Sequence, residues 1–305
     1  MSRSLQVLLA AIVLAAIVLA SGAPKMGYAQ DGDAADADNH AAAAAFADSE
    51  QLPTETAADR FRWHNEEFFF SIEILGTEAA RTAIAIGPEV EVEGHGVVIP
   101  IEGLTNSVGF FNTVYPMRDV ALTYLSPDTG LPVFASKELD ERGEYRRYDV
   151  TYDQDIYRAD VERTRNGTQR YRRTVPSDLH DMMSWFIDLR SRDFSVGNEY
   201  VYHIYDGWKL SRLTVRIVDH EDIYTGLGFI PSARMRFTRE VLASYSVLPF
   251  ANEAALPPVY NVTDGPSNLG IGWFSLDDRR LPVGAEVDAP IGQLRMILQR
   301  HTPPS

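Results

Sequence analysis

From Arg60 onward the chain alternates apolar and polar residues with a period of two, and Gly, Asn, Asp or Pro breaks the alternation at short intervals. Successive strand side chains point to opposite faces, so this pattern turns one face to a core and the other to solvent. Phe68, Phe70, Ile72 and Ile74 alternate with Phe69, Ser71, Glu73 and Leu75, which reads as a half-buried strand ending at Gly76. Ala80 to Ile86 reads as its antiparallel partner, and Val97 to Ile101 as a further strand. Asp128-Thr129-Gly130 separates two more, Val120 to Leu125 and Val133 to Leu139.

Asn-Gly and Asp-Gly between apolar runs are the strongest short-range hairpin signals. A two-residue loop at Asn166-Gly167 sets Arg163 opposite Arg170, and one at Asp206-Gly207 pairs Tyr205 with Trp208, His203 with Leu210 and Val201 with Arg212. One segment has helical spacing instead. Leu179, Met182, Met183, Phe186 and Ile187 fall at i, i+3, i+4, i+7 and i+8, with Ser177 placed to cap and Asp178 and Asp181 in the first turn. A second, weaker helix is expected over Ser107 to Tyr115. The final strands are expected over Gly270–Leu276, Leu281–Val287 and Gln293–Gln299.

Roughly thirteen strands without βαβ alternation predict a mainly β protein, an antiparallel barrel or half-barrel-like sheet with one or two short helices. The expected organisation has four parts. Residues 1–29 read as a signal peptide, 30–58 as an acidic, Ala-rich disordered linker, 59–300 as a single β-rich domain, and 301–305 as a tail. Within the domain, 247–269 reads as a Pro-rich loop insertion.

The signal peptide rests on Arg3, an apolar run from Leu5 to Ala20 that only Gln6 interrupts, and small residues at Gly27 and Ala29 before Gln30. That run is shorter than the roughly 20 residues of a spanning helix. Cleavage before Gln30 therefore predicts an exported protein, periplasmic or extracellular, without a stable membrane span. The linker holds Asp31, Asp33, Asp36, Asp38, Asp48 and Glu50 and no Lys or Arg.

Composition narrows the chemistry. The 305 residues contain no cysteine, which removes disulfides, thiolate metal sites, Cys nucleophiles and Cys-linked lipid anchors. A net charge of −15 argues against nucleic acid as a partner. No phosphate loop, nucleophile elbow or HExxH helix is present, so no cofactor, metal or catalytic residue is expected. His220-Glu221-Asp222 reads as a solvated strand end, because adjacent strand residues diverge. Asp277-Asp278-Arg279-Arg280 reads as a charged hairpin tip with local salt bridges.

Two features point to a ligand. Arg142 to Val175 holds nine Arg against six acidic residues in an otherwise acidic protein. The like-charged Arg163 and Arg170, set opposite each other, suit an anionic group. The 14 Tyr and 14 Phe could line an apolar cavity. Candidate ligand-binding residues are therefore Arg163, Arg170, Trp185, Phe186, Arg190, Trp273 and Arg279.

Several stretches resemble, in order, a bacterial exported family called domain of unknown function 3108. Asn65-Glu66-Glu67 followed by Phe68 to Gly76 is similar to its opening strand, with Asn65 in place of the usual Gly and Ala79-Ala80 where a second Gly is common. Asp119 with Thr123 to Pro132 resembles its strand and turn. Asp181-Met182-Met183-Ser184 with Asp188-Leu189-Arg190 and Gly197 resembles its helix. Glu221 and Gly228 match its next strand, and Trp273 to Val283 with Ile291-Gly292 its closing motif. The resemblance spans about Asn65 to Leu298 and implies an envelope-associated β-rich domain with no assigned activity. The leading expectation is a non-enzymatic module that binds an envelope lipid, a glycan or an envelope protein. The alternatives are an envelope hydrolase using Asp, Glu or His, and a structural scaffold with a filled core.

Overall fold

The structure, a computed structural model, describes residues 65–244, 266–289 and 292–304. The expected signal peptide and linker, and most of the Pro-rich loop, lie outside the described residues. Sixteen strands are present among them, rather than about thirteen, and the antiparallel, barrel-like expectation holds.

The first half runs β1 (Glu66–Ile74), β2 (Thr77–Ile86), β3 (Val90–Val92), β4 (Gly96–Ser107), helix α1 (Gly109–Val114), β5 (Met117–Leu125), β6 (Pro132–Glu141), β7 (Glu144–Asp153), β8 (Arg158–Thr164) and β9 (Thr168–Thr174). The second runs β10 (Leu179–His180), helix α2 (Ser184–Arg190), β11 (Glu199–Tyr205), β12 (Lys209–Thr225), β13 (Gly228–Ser244), β14 (Ser267–Ser275), β15 (Pro282–Ala289) and β16 (Gly292–Thr302). β14 begins inside the segment expected as a loop, and β16 runs through His301 and Thr302, where a tail was expected.

The sheet order is β10-β11-β12-β13-β14-β15-β16-β1-β2-β4-β5-β6-β7-β8-β9, with β3 paired only to β4. The first and last strands meet at the middle of the sheet, where β16 lies antiparallel to β1. Both edges, β9 and β10, are neighbours in sequence. Unpaired edges invite aggregation unless covered, and here side chains draw the two together. Tyr171 Oη donates to the Gly207 carbonyl at 2.6 Å and Tyr152 Oη to the Tyr205 carbonyl at 3.1 Å. Val150, Ala159 and Val161 pack there with Leu179, Tyr205 and Leu210. The result is a barrel whose seam is closed by packing instead of a backbone ladder.

Three local expectations are corrected. At Asn166-Gly167 the pairing is Thr164 with Thr168, Arg163 with Gln169 and Glu162 with Arg170. The loop has three residues, and Arg163 does not face Arg170. A one-residue slip moves a side chain to the other face, so Arg170 escapes a like charge and meets Glu162 at 2.8 Å. At Asp206-Gly207 the loop has four residues, and Tyr205 pairs with Leu210, His203 with Arg212. The Asp206 carboxylate accepts the N–H groups of Trp208 and Lys209, which holds two extra residues in the turn.

The helix expected from Ser177 begins only at Ser184. Asp181 Oδ1 accepts the N–H groups of Met183 and Ser184 and starts the helix there. Leu179 and His180 instead extend parallel to His203 and Ile204. All seven residues of α2 are buried. The helix plugs the barrel interior, packing against Phe68, Ile99, Tyr202, Leu213 and Met235. The short α1 matches the weaker expected helix and lies on the surface beside β2.

Candidate functional site

Beside α2 the interior is incompletely filled. A partly open pocket lies between the helix and β13–β15. Trp185 and Phe186 line one side, with Phe70, Phe237 and Phe274. Gly270, Gly272, Gly284 and Ala285 form the opposite wall. The glycines of that wall are required by close packing around it. A Cβ on Gly272 would sit 2.4 Å from the Phe237 ring, and one on Gly284 would sit 2.5 Å from the Met296 carbonyl.

The chemistry of the lining is uniform. None of its residues is ionisable or carries a hydroxyl or amide side chain. Its one side-chain N–H, Trp185 Nε1, is already donated to the Met182 carbonyl at 2.9 Å. Trp185 is held by Phe237, Phe186 and Tyr202, with ring centroids 5.9, 6.5 and 6.2 Å away. Met182, Met183 and Met296 add unbranched thioethers that adapt to irregular apolar shapes. The side chains of such a pocket suit a hydrocarbon group and leave no free side-chain hydrogen-bonding group for a polar one.

The other expected site residues lie elsewhere. Arg190 is not at a rim. It is fully buried, forms a salt bridge with Glu66, and donates to the carbonyls of Arg279 and Arg280 at 2.9 and 3.0 Å. Trp273 turns away from the pocket, donates Nε1 to Glu221 at 2.8 Å and packs with Ile223, Ile230, Val283 and Ile297. Arg279 is exposed and pairs with Asp277, as a charged hairpin tip should. Arg170 is exposed and paired with Glu162, while Arg163 stacks 4.5 Å from the Trp208 ring centroid. Sequence reasoning missed Phe237, Leu269 and the glycine wall. The alternation places Phe237 on a strand face, but nothing local shows that face meeting a gap.

Carboxylates with shifted acidity lie outside this lining. Burial, reinforced by the Glu141 charge, pushes Asp119 up to about 8. Burial pushes Glu141 up to about 7, against the pull of Arg146. His220 Nε2 lies 2.7 Å from the Phe194 carbonyl, and among the described residues no group of His, Asp and Glu is arranged to hold a metal. No helix among them is long and apolar enough to cross a membrane.

Fold and pocket together define a barrel-like β module with an apolar cavity beside an internal helix. The chain belongs to the family described as protein of unknown function (DUF3108), whose model matches residues 69–299. Among solved structures it is similar to a β-barrel-like protein of domain of unknown function DUF1849 from Brucella abortus. That match has a TM-score of 0.50 and 9% identity, over 79% of this chain and 98% of the other. It is also similar to a protein described as a "putative lipoprotein" from Parabacteroides distasonis, with a TM-score of 0.31 and 11% identity, over 78% of this chain and 95% of the other. No curated protein matches the sequence.

Proposed function

We propose that this protein is an exported, non-enzymatic binding module whose barrel takes up the hydrocarbon part of an envelope lipid. The carrying observation is the pocket beside α2, whose side chains are apolar and whose one side-chain N–H is already donated. Apolar ligands bind by surface removed from water, so a wall of glycines facing aromatic rings is a fitting receptor. Export rests on the N-terminal pattern of Arg3, the Leu5–Ala20 run and the small residues before Gln30. A glycan fits less well, because its hydroxyls would be buried without partners. A hydrolase would set its carboxylates in the cavity, whereas Asp119 and Glu141 do not line it.

The test is native mass spectrometry of the mature protein purified from its own envelope, followed by denaturing lipid extraction. A stoichiometric acyl lipid is expected, and palmitate should bind the delipidated protein. In Ala285→Leu, which fills the glycine wall, that binding should weaken about tenfold or more, while overpacking costs only about 1–3 kcal/mol of stability. A clean apo mass together with no palmitate binding would overturn the proposal.

A further inference from the structure

The outer face of the sheet carries a second space of different chemistry, an open groove of about 540 Å³ across β16, β1, β2 and β4. Phe68, Phe70, Ile72 and Ile74 turn into the core, so Phe69, Ser71 and Glu73 face outward. On β2 and β4, Thr82 and Thr105 are buried and meet each other at 2.8 Å. The same alternation therefore turns Arg81 and Ala83, and Leu104 and Asn106, to the outer side.

Register gathers these residues from distant parts of the chain. Ser71 pairs with Arg81 and Phe69 with Ala83, while Ala83 pairs with Leu104 and Arg81 with Asn106. Gln299 joins them from β16, its Nε2 donating to Ser71 Oγ at 2.8 Å. Short Ser71 and Ala83 thus lie among longer side chains. Neighbouring strands are about 4.8 Å apart, so four of them give a surface about 14 Å wide, enough for a short oligomer laid across them.

Several polar groups here lack a protein partner. Glu73 and Asn106 are half-buried, and among the described residues neither side chain has a hydrogen bond or an ion pair. Gln299 uses only Nε2, which leaves its side-chain carbonyl free to accept. Arg81 is engaged, with two nitrogens each 2.8 Å from Glu78. At the Phe69 end the Arg300 guanidinium stands 3.8 Å from the ring centroid.

This inventory selects a ligand class. Glu73 and Glu78 are balanced by Arg81 and Arg300, so the surface has no net charge to draw an anion or a cation. The one guanidinium lining the groove is already paired with a carboxylate, which disfavours an anion further. A hydrocarbon chain would cover Glu73 and Asn106 and leave them unpaired, at a cost. A sugar ring meets all of these groups: its hydroxyls both donate and accept, and its C–H face covers apolar surface. A hydroxyl donating to the Glu73 carboxylate makes a charge-assisted bond.

We infer that this groove binds a neutral saccharide chain, with Glu73, Asn106 and Gln299 taking its hydroxyls and Ala83 and Leu104 lying under its rings. The site is on the opposite face of the sheet from the pocket beside α2 and stands whether or not that pocket takes lipid.

The test follows the backbone amides of the mature protein by NMR during titration with four probes: chitotetraose, maltotetraose, tetragalacturonate and tetralysine. At least one of the two neutral tetrasaccharides should bind with a dissociation constant of about 1 mM or tighter and shift the amides of Phe69, Ser71, Glu73, Ala83 and Asn106. Glu73→Ala with Asn106→Ala should weaken that binding about tenfold or more. Its amide spectrum away from the groove should match wild type, which shows that the fold is intact. Ala83→Trp, which fills the floor and keeps the polar groups, should weaken binding as much, whereas Glu91→Ala on the exposed β3 should leave it unchanged. No shift at these amides with either neutral tetrasaccharide overturns the inference. So does tighter binding of tetragalacturonate or tetralysine, or binding undiminished in both groove variants.

Discussion

Arg190 is the largest of the fully buried side chains, and its surroundings explain how a charge survives there. Glu66 takes two of its guanidinium nitrogens, and the carbonyls of Arg279 and Arg280 take the remaining directions. His301 Nε2 closes the group, 3.0 Å from Glu66 Oε2, and its ring stacks on Phe68. The cluster ties the first strand, the internal helix, the last strand and the β14–β15 turn to one point. Removing one member of a buried pair leaves the other charge uncompensated, at a cost of about 3–5 kcal/mol. Glu66→Ala should therefore lower the urea midpoint strongly, and Glu66→Gln less. Retention of wild-type stability in Glu66→Ala would contradict that role. Arg190 is the last residue of α2. Its partner lies 124 residues away, and no local pattern encodes such a pairing.

At the scale of elements, turn positions were legible and loop lengths were not. Asn166-Gly167 and Asp206-Gly207 do reverse the chain, but side-chain capping by Asp206 and the charges flanking Asn166 select longer loops. The β12–β13 hairpin shows the same division. Its turn lies between Thr225 and Gly228, and no local pattern encodes where it docks. The hairpin tip reaches β16, where Gly226 N–H donates to the Leu298 carbonyl at 2.9 Å. A Cβ on Gly226 would lie 2.4 Å from the Gln299 carbonyl oxygen. Gly226→Ala should therefore push the tip off β16, destabilise the fold by about 1–3 kcal/mol and speed hydrogen exchange in both segments. Unchanged exchange at the tip would show that the close approach is dispensable.

For the whole molecule, the buried pair Asp119 and Glu141 sets the expected response to pH. Both are held above ordinary carboxylate values, chiefly by burial, at about 8 and about 7. The unfolded chain titrates them near ~4. Between these limits the folded protein binds more protons than the unfolded one, so stability falls as pH rises. As far as this pair is concerned, the protein should be most resistant to urea at or below about pH 4, and progressively less so toward pH 8. Asp119→Asn, neutral at every pH, should flatten that slope and raise the urea midpoint at pH 8. A slope unaltered by the substitution would assign the pH dependence to other groups.

The sequence by itself determined the class of fold, the order of most strands and the family, because alternation and turn residues act over a few positions and each strand carries its own record of which face is inside. It also placed Trp185 and Phe186, which do line the pocket. Tertiary structure alone decided that β16 closes on β1, that only the second half of the Leu179–Ile187 stripe is helical, and that Arg190 and Trp273 point away from the cavity. It also decided where the cavity lies. A pocket is space left unfilled where a glycine-rich wall on β14 and β15 meets a helix from far along the chain. Space of that kind arises between elements, and no residue's own neighbours in sequence record it.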